Sequence, residues 1–554
     1  MKVKYVNYWF FLLIVSLIFC NVPKAICLEL LGGESGNKLS IYVLMLGWIF
    51  VIAEKLRNRN EIRYSEVKIE LKYKPLVIFL LVYLLSQIGA LIINVANYPY
   101  YDLLVSNTHM LPARFMQLLS LGTICNLSSQ DGIQIYMFFK EIKNLIVNSF
   151  WTFGGAGLIY YGYMSASKLQ QPNQLVKKCI EVLLAGVLVS STLILIYALI
   201  ELPFLLGEDW AKYLLTKCNP YIHQIGAYNN IYLGSNIDGE KAFSWWPPLL
   251  WPAQVRSLFP EPSFFGMYCS FLMPWLWYAF IADIRKNWGN KLVLFYILLL
   301  SVLIFLTKSR TAILLFLGEN TLLLIYVVYC AKKEIFKKII TVLFIGAAAW
   351  SCSIWFIGME TNINDRQLNS SSVSYKEKAD MYIEENITSA SSENKRSNKA
   401  RFSLMQTEIN LWKDYPLLGV GRGMKSAYIV DYLPKTALED QEVRMWVRRI
   451  NENGPLKAGF PDVSEYTMRL CEMGLIGFFI YLFPFIYLVV YFTKYLYINR
   501  QKGKMNEYIY QVVYFYLISL IGLLVGGLST SLNATYCLWV LLGVGGIIKN
   551  NVDC

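Results

Sequence analysis

Apolar residues along this chain are gathered into long runs, near 8–23, 39–53, 75–97, 145–164, 179–201, 264–282, 291–307, 311–330, 338–357, 471–493, 508–528 and 531–548. A helix rises 1.5 Å per residue and a bilayer core is about 30 Å thick, so a run of about 20 apolar residues spells a membrane-crossing helix. The pattern therefore predicts an all-α polytopic membrane protein with about 12 transmembrane helices. Polar residues concentrate between the runs. Three intervening stretches are long, at 98–144, 202–263 and 358–470. The predicted division is 1–357 for helices 1–9 with the first two long loops, 358–470 for the large loop, and 471–554 for helices 10–12.

Basic residues give the orientation. With the N-terminus inside and sides alternating, the clusters are Lys2 and Lys4; Lys55, Arg57, Arg59, Arg63, Lys68, Lys72 and Lys74; Lys168, Lys177 and Lys178; Arg285, Lys286 and Lys291; Lys332, Lys333, Lys337 and Lys338; and Lys494, Arg500, Lys502 and Lys504. All of them fall on the inner side, as the positive-inside rule requires. The long loops then face outward, both termini are cytoplasmic, and the expected location is a bacterial cytoplasmic (inner) membrane. The N-terminal run follows Met1-Lys-Val-Lys like a signal peptide. Bulky Phe19 before Cys20 and the want of a small-residue cleavage site make it an uncleaved first span.

Composition agrees: 56% of the 554 residues are hydrophobic and 16% charged, with a mean hydropathy of +0.41. The net charge of +13 does not point to nucleic acid, because about half of the 51 Lys and Arg lie in short loops beside spans. There they meet anionic headgroups. The 11 cysteines are scattered, several inside spans (Cys20, Cys179, Cys269, Cys352, Cys537), and no CxxC pair occurs. His109 and His223 are the two histidines. That pattern supports no metal site and no cofactor.

In the large loop, 362–400 is rich in Ser, Asn, Glu and Lys and is expected to be flexible. From Arg401, Phe402, Met405, Ile409 and Trp412 recur at helical spacing and predict an amphipathic helix. Tyr415-Pro416 ends it. Gly419-Val-Gly421-Arg422-Gly423 follows, then a second helical stretch from Met424 to Leu433. The glycine turn has two readings: backbone N–H groups presented to a phosphate with Arg422 and Lys425, or a plain turn using positive φ.

Other outer positions carry candidate chemistry. Lys308 and Arg310 sit in a tight turn between spans 7 and 8. They can meet a phosphate, Arg by two-point contact, or snorkel to headgroups. Glu261, between two prolines where the second loop enters span 6, is suited to bond a sugar hydroxyl or accept a proton; it equally suits a helix start. Nearby, Trp245, Trp246 and Trp251 suit sugar stacking or interfacial anchoring. Asp462, Glu465, Arg469 and Glu472 recur at helical intervals before span 10, as an acidic face around a cation or as paired surface charges. Glu319 and Asn320 lie within span 8, marking a polar path or a buried hydrogen bond.

Four segments together resemble the O-antigen polymerase and ligase superfamily, specifically its Wzy-type polysaccharide polymerases. They are EPSFFG at 261–266, SRTA at 309–312, WKDYPLLGVGRG at 412–423 and EYTMRLCEMGLIG at 465–477. The resemblance covers about 250–490. It implies a C-type glycosyltransferase-like fold acting on undecaprenyl-pyrophosphate-linked oligosaccharides, without nucleotide sugar or metal. A chain-length regulator and a flippase would be partners, alongside membrane lipids. It implies diphosphate contacts from Arg310, Arg401 and Arg422, with Arg256 and Lys308 behind them. Ligases place a histidine about nine residues before the glutamate matching Glu472; this chain has Val463 there. The base is then left among Asp462, Glu465 and Glu261. The expected activity is polymerisation of lipid-linked repeats. Alternatives are ligation to lipid A core, a flippase, and a non-catalytic scaffold; a transporter would keep its polar residues at mid-membrane.

Overall fold

The computed structural model describes residues 3–20, 36–57, 66–96, 129–166, 172–223, 249–284 without 252, 288–329, 333–365, 375–386, 398–502 without 457, and 506–552, with positions 22, 104, 107 and 110. Lys2, Arg59, Arg63, His109, Lys168, Trp245, Trp246, Arg285, Lys286, Lys332 and Lys504 lie outside them. Among the described residues every regular element is helical. The chain is an all-α polytopic membrane protein.

In chain order the helices are α1 Val3–Ser16, α2 Leu39–Arg57, α3 Glu66–Ala96, α4 Ser129–Ser149, α5 Gly155–Ala166, α6 Pro172–Leu205, α7 Asp209–Ile222, α8 Pro262–Ile281, α9 Trp288–Leu306, α10 Arg310–Tyr329 and α11 Lys333–Asp365. After them come α12 Tyr375–Asn386, α13 Asn398–Asp414, α14 Gln441–Asn453, α15 Glu465–Lys502, α16 Glu507–Gly526 and α17 Cys537–Val552. Each of the twelve apolar runs contains helix, and α7 with most of α4 adds helix inside the stretches 202–263 and 98–144 read as loops. Eight of these helices are long and apolar enough to cross a membrane, and α2 and α17 carry shorter apolar segments. The fourth run is split by a π turn at Phe150–Gly154. The last run starts late because 527–536 is no helix. It folds back with Leu532, Ala534 and Tyr536 buried against the bundle.

α8 is the axis of the bundle. Its apolar segment is 94% buried and that of α16 is 78%, whereas α11 is 28% buried. A helix apolar on every side belongs inside; Trp275 and Trp277 of α8 are fully enclosed. Small residues allow the close crossings. A Cβ on Gly266 would stand 2.4 Å from the Ala312 Cβ, so α8 and α10 meet there backbone to backbone. Two segments singled out in the sequence, EPSFFG and SRTA, thus touch through Gly266 and Ala312.

The large loop departs from expectation in four places. Part of the stretch expected to be flexible is α12, held by Tyr382, which packs its ring on Trp350 at 5.0 Å and donates its hydroxyl to the Phe305 carbonyl. Residues 362–365 end α11 and 398–400 open α13, while 366–374 and 387–397 lie outside the described residues. The second helix is a single turn, Lys425–Tyr428. The amphipathic helix α13 exists but buries a different stripe. Ala400, Leu404, Thr407, Glu408 and Leu411 face inward, while Phe402 is exposed. The inward stripe carries polar side chains that serve the site, so hydrophobic periodicity marks its neighbour. Helix α14, which the apolar pattern did not suggest, is capped by Asp440 Oδ1 accepting from Glu442 N at 2.8 Å.

Candidate active site

One end of the bundle gathers the polar chemistry. Helix α15 begins there, and its first residue donates its amide to the carbonyl of Gly527 at 2.9 Å, tying it to the end of α16. Within α15 the charges stack at i, i+4 and i+3 from the neighbour. Arg469 Nε stands 2.7 Å from Glu465 Oε1, and its NH1 stands 3.1 Å from Glu472 Oε2. All three side chains are buried.

Glu465 is saturated. Its Oε1 accepts from Arg469 Nε and from the Tyr481 hydroxyl at 2.9 Å; its Oε2 accepts from Ser531 Oγ at 2.9 Å and Leu532 N at 3.0 Å. A carboxylate with four donors holds a fold together and has no acceptor lobe left for a proton. Glu472 likewise takes Gly423 N at 3.0 Å on Oε1.

Helix α15 is broken at Gly474, where φ is +60 and ψ −174. The freed backbone groups are met by the glycine turn. Val420 N and Gly421 N donate to the carbonyls of Cys471 and Glu472, both at 2.9 Å. In return Leu475 N and Ile476 N donate to Pro416 and Leu417 at 2.9 and 3.2 Å. The approach is too close for side chains: a Cβ on Gly419 would sit 2.4 Å from the Glu472 carbonyl carbon, and one on Gly474 would sit 2.3 Å from the backbone of Leu417. So the Gly419, Val420, Gly421 and Gly423 amides are consumed within the protein. The plain-turn reading fits this geometry better than a phosphate cradle of those amides.

Lys425 is equally engaged. Its Nζ lies 2.9 Å from Glu408 Oε1 and 2.8 Å from Asp462 Oδ1. Thr467 donates its hydroxyl to the other oxygen of Glu408. Burial opposes the charge on Lys425, but Asp462 and Glu408 outweigh it and hold the ammonium well above its ordinary value. Burial likewise opposes ionisation of Asp462, yet Lys425, Arg469 and Arg422 hold it below the usual carboxylate value. Of the acids in this cluster Asp462 is the open one, with 33% of its side chain exposed against 0% for Glu408.

Arg310 and Arg401 come together a short distance away. Arg310 NH1 donates to Asn398 Oδ1 at the start of α13, and one turn on Arg401 NH1 donates to the Ser529 carbonyl at 3.3 Å. Thr311 and Ser529 share a hydroxyl bond of 2.8 Å. The loop 527–536 therefore links both groups, meeting Arg401 and Thr311 through Ser529 and Glu465 through Ser531. Lys308 closes α9 with φ +47, and its carbonyl accepts from Gln254 Nε2 at 3.4 Å. Arg422 stands apart from that pair, with its NH1 3.4 Å from the Tyr83 hydroxyl.

The remaining candidates sit on the strap leading into α8. Arg256 is 1% exposed, its NH2 donating to the Leu249 carbonyl at 2.9 Å and its NH1 to Pro260 at 3.4 Å. Glu201 accepts the amides of Arg256 and Ser257. This encloses Arg256 as a brace of the strap. Glu261 stands at the N-cap of α8, but its carboxylate accepts from Ser263 Oγ at 2.9 Å and caps no amide. Trp251 donates to Gln254 Oε1 at 2.7 Å. His223 is buried beside Tyr197, with burial and Arg256 holding it well below its ordinary value, hence neutral. Glu319 accepts a bond from Ser270 Oγ, the buried hydrogen bond of the two readings offered for it. No cluster suited to a metal ion occurs among the described residues.

Sequence reasoning missed Glu408, Tyr481 and the whole of 527–536. Glu408 lies four residues from Trp412 on a helix read by its apolar face, and 527–536 was absorbed into apolar runs.

Residues 295–482 match the family model described as O-antigen ligase. No curated protein matches the chain. The matched segment runs from α9 into α15 and includes Arg310, Arg401, Glu408, Arg422, Lys425, Asp462 and the α15 charges; Arg256, Glu261 and 527–536 lie outside it. Over the part that builds this site, the chain is similar to the O-antigen polymerase and ligase superfamily, whose members are glycosyltransferase-like enzymes.

Proposed function

We propose that the chain polymerises undecaprenyl-pyrophosphate-linked oligosaccharide repeats into a surface polysaccharide on the outer face of the cytoplasmic membrane. The observation that carries this reading is the meeting of Arg310 and Arg401 at the start of α13, where Arg310 bonds Asn398, Arg401 bonds the Ser529 carbonyl and Ser529 bonds Thr311, at the end of an apolar bundle that also carries the open carboxylate of Asp462. Diphosphate charge meets a lipid-anchored sugar at that depth, and fixed guanidinium groups are suited to receive it.

In the reaction, an acceptor hydroxyl oxygen attacks the anomeric carbon of the donor sugar. The bond from that carbon to the phosphate oxygen breaks, and the diphosphate leaves with the electron pair. Arg310 and Arg401 take up its charge. Asp462, ionised by its cationic neighbours, accepts the hydrogen bond of the attacking hydroxyl and carries its proton toward water. Glu465 and Glu472 act by holding Arg469 and the broken helix in place. Holding both lipid-linked substrates at one site supplies the proximity advantage. A flippase and a chain-length regulator would work beside it.

Ligation to lipid A core is the second reading, favoured by the description of the matched family. The missing histidine at Val463 and the buried, neutral state of His223 weigh toward the polymerase. A deletion strain separates them: losing a polymerase leaves single repeats on the final acceptor, while losing a ligase leaves long chains on the carrier lipid. Arg310→Ala is expected to abolish chain lengthening while the protein still inserts. Normal chain lengths in cells carrying that variant would remove Arg310 from the mechanism.

A further inference from the structure

The charges around Lys425 form a chain of three. Its ammonium, on a side chain 5% exposed, lies 2.9 Å from Glu408 Oε1 and 2.8 Å from Asp462 Oδ1. The two acids are unlike. Glu408 is enclosed on α13, and its second oxygen takes the Thr467 hydroxyl of α15. Asp462 stands open, and its Oδ2 meets no donor among the described residues. One end of the chain is therefore sealed while the other faces outward. We propose that Glu408 is a positioning residue, which lets Asp462 take up a proton by balancing Lys425 whenever Asp462 is neutral. This role rests on the polymerase reading, in which Asp462 receives the proton of the attacking hydroxyl.

Charge balance gives the reason. With both acids ionised the trio carries a single negative charge. As the acceptor oxygen bonds the anomeric carbon and the diphosphate leaves, the hydroxyl proton moves to Asp462. The trio is then neutral, with Lys425 paired to Glu408 alone. Without Glu408 the same proton would leave an enclosed ammonium with no carboxylate at its side, a costly state. Asp462 would hold its charge too firmly to serve as a base. The other groups facing Asp462 do not fill this role. Arg422 and Arg469 add to the pull on its charge, and Arg469 is already held by Glu465 and Glu472. Glu472 lies within electrostatic reach of Asp462 and Lys425, but it is committed to Arg469 and Gly423 N. The Cys471 thiol, also in reach, donates to the Met468 carbonyl at 3.1 Å.

Apolar packing holds the trio in register. Leu404, Ile429 and Val463 share one buried cluster, and each lies within a helical turn of one of the three charges. Beyond Val463 the backbone is pinned, with Ser464 Oγ and Glu465 N donating to the Gly527 carbonyl at 3.4 and 2.9 Å. Burial pushes the Glu408 carboxyl above its ordinary value, while Lys425 and Thr467 draw it back. Asp462 is held below its own value. The open acid is thus already a weak base, and losing the counterweight on the far side of Lys425 would weaken it further.

The test uses the full chain in lipid nanodiscs, with two readouts. A water-soluble carbodiimide with glycine ethyl ester couples to protonated carboxyls, so labelling of the Asp462 peptide against pH gives its midpoint independently of activity. Chain lengthening is followed on lipid-linked repeats extracted from cells deleted for this protein. In Glu408→Gln the midpoint is expected to fall by about one pH unit, the effect of one neighbouring charge. The turnover kcat should fall about three- to ten-fold with KM unchanged, since a weaker base takes the proton less readily. Glu408→Asp keeps the charge and should restore kcat in part. Removing the ammonium as well is decisive. Lys425→Met with Glu408→Gln should raise the midpoint above that of wild type and recover kcat relative to Glu408→Gln alone. A merely structural Glu408 predicts the reverse order of rates. An unmoved midpoint in Glu408→Gln, or a double variant slower than the single, overturns the proposal. Where Glu408→Gln alone does not fold, a double-variant midpoint at or below that of wild type overturns it. Full activity in Asp462→Asn overturns instead the base assignment on which the role rests, whatever the midpoints.

Discussion

Replacing Lys425 by methionine removes the cation while keeping most of its length. Glu408 is 0% exposed and loses its only ion pair among the described residues, retaining the bond from Thr467. Breaking one side of a buried pair costs about 3–5 kcal/mol, because the remaining charge is left without compensation. The bond to Asp462, a third exposed, adds less, on the order of 1 kcal/mol or below. The unit 398–433 should therefore open more readily. A loss of about 3 kcal/mol speeds amide exchange through such openings by roughly a hundred-fold. Hydrogen exchange read by mass spectrometry in nanodiscs measures this on peptides from α13, with peptides from α8 as the internal reference. Lys425→Met with Glu408→Gln should recover most of the protection, since the double change leaves no unpaired buried charge. If Lys425→Met alone accelerates exchange of α13 by less than about five-fold, or if the double variant is worse than the single, the clamp is not what holds this unit to the bundle.

Gly474→Ala combines a forbidden backbone conformation with a Cβ 2.3 Å from Leu417, so it should abolish folded protein, whereas Gly318→Ala, with nothing within 4 Å, should change the unfolding midpoint little; size-exclusion profiles distinguish the two. Arg256→Ala frees the Leu249 and Pro260 carbonyls and should cost about 1–3 kcal/mol of stability without altering KM in the protein that remains folded. The Asp462 carboxyl lies below its usual value of about 3.9, so its pair with Lys425 is complete above that value and is lost only as pH falls through the lower folded one. The difference in protease protection of 398–465 between wild type and Asp462→Asn should thus be level from about pH 8 to about pH 5 and shrink below about pH 4. A loss already at about pH 6 would contradict it.

The bundle was legible because each run of apolar residues obeys a local rule. A stretch of that length either crosses a membrane or is buried. The charge ladder of α15 was legible for the same reason: Glu465, Arg469 and Glu472 are neighbours in one helix, and their spacing alone brings them together. What stayed hidden depends on contacts between segments far apart in the chain. The glycine turn keeps both its readings, phosphate cradle and plain turn, until Cys471 and Glu472 are seen to occupy its amides, and that follows from a break at Gly474 which no periodicity shows. Arg256 stands as a secondary diphosphate contact implied by the resemblance until Glu201, 55 residues earlier, is found gathering the backbone around it. In α13 the reading failed by one stripe. Its inner face holds Thr407 and Glu408 because it answers Lys425, so the hydrophobic signal fell on the neighbouring side. These departures share a cause. Where the chain prepares chemistry it buries polar groups against each other, and a pattern built on burial of apolar groups goes quiet at those places. The resemblance carried by EPSFFG, SRTA, WKDYPLLGVGRG and EYTMRLCEMGLIG has a physical basis of the same kind. The first two meet at Gly266 and Ala312, the last two at Gly419 and Glu472, and the loop 527–536 touches both pairs, Thr311 through Ser529 and Glu465 through Ser531. Much of what makes those strings recognisable is therefore close backbone approach, and the cations beside them hold their positions because that approach is fixed.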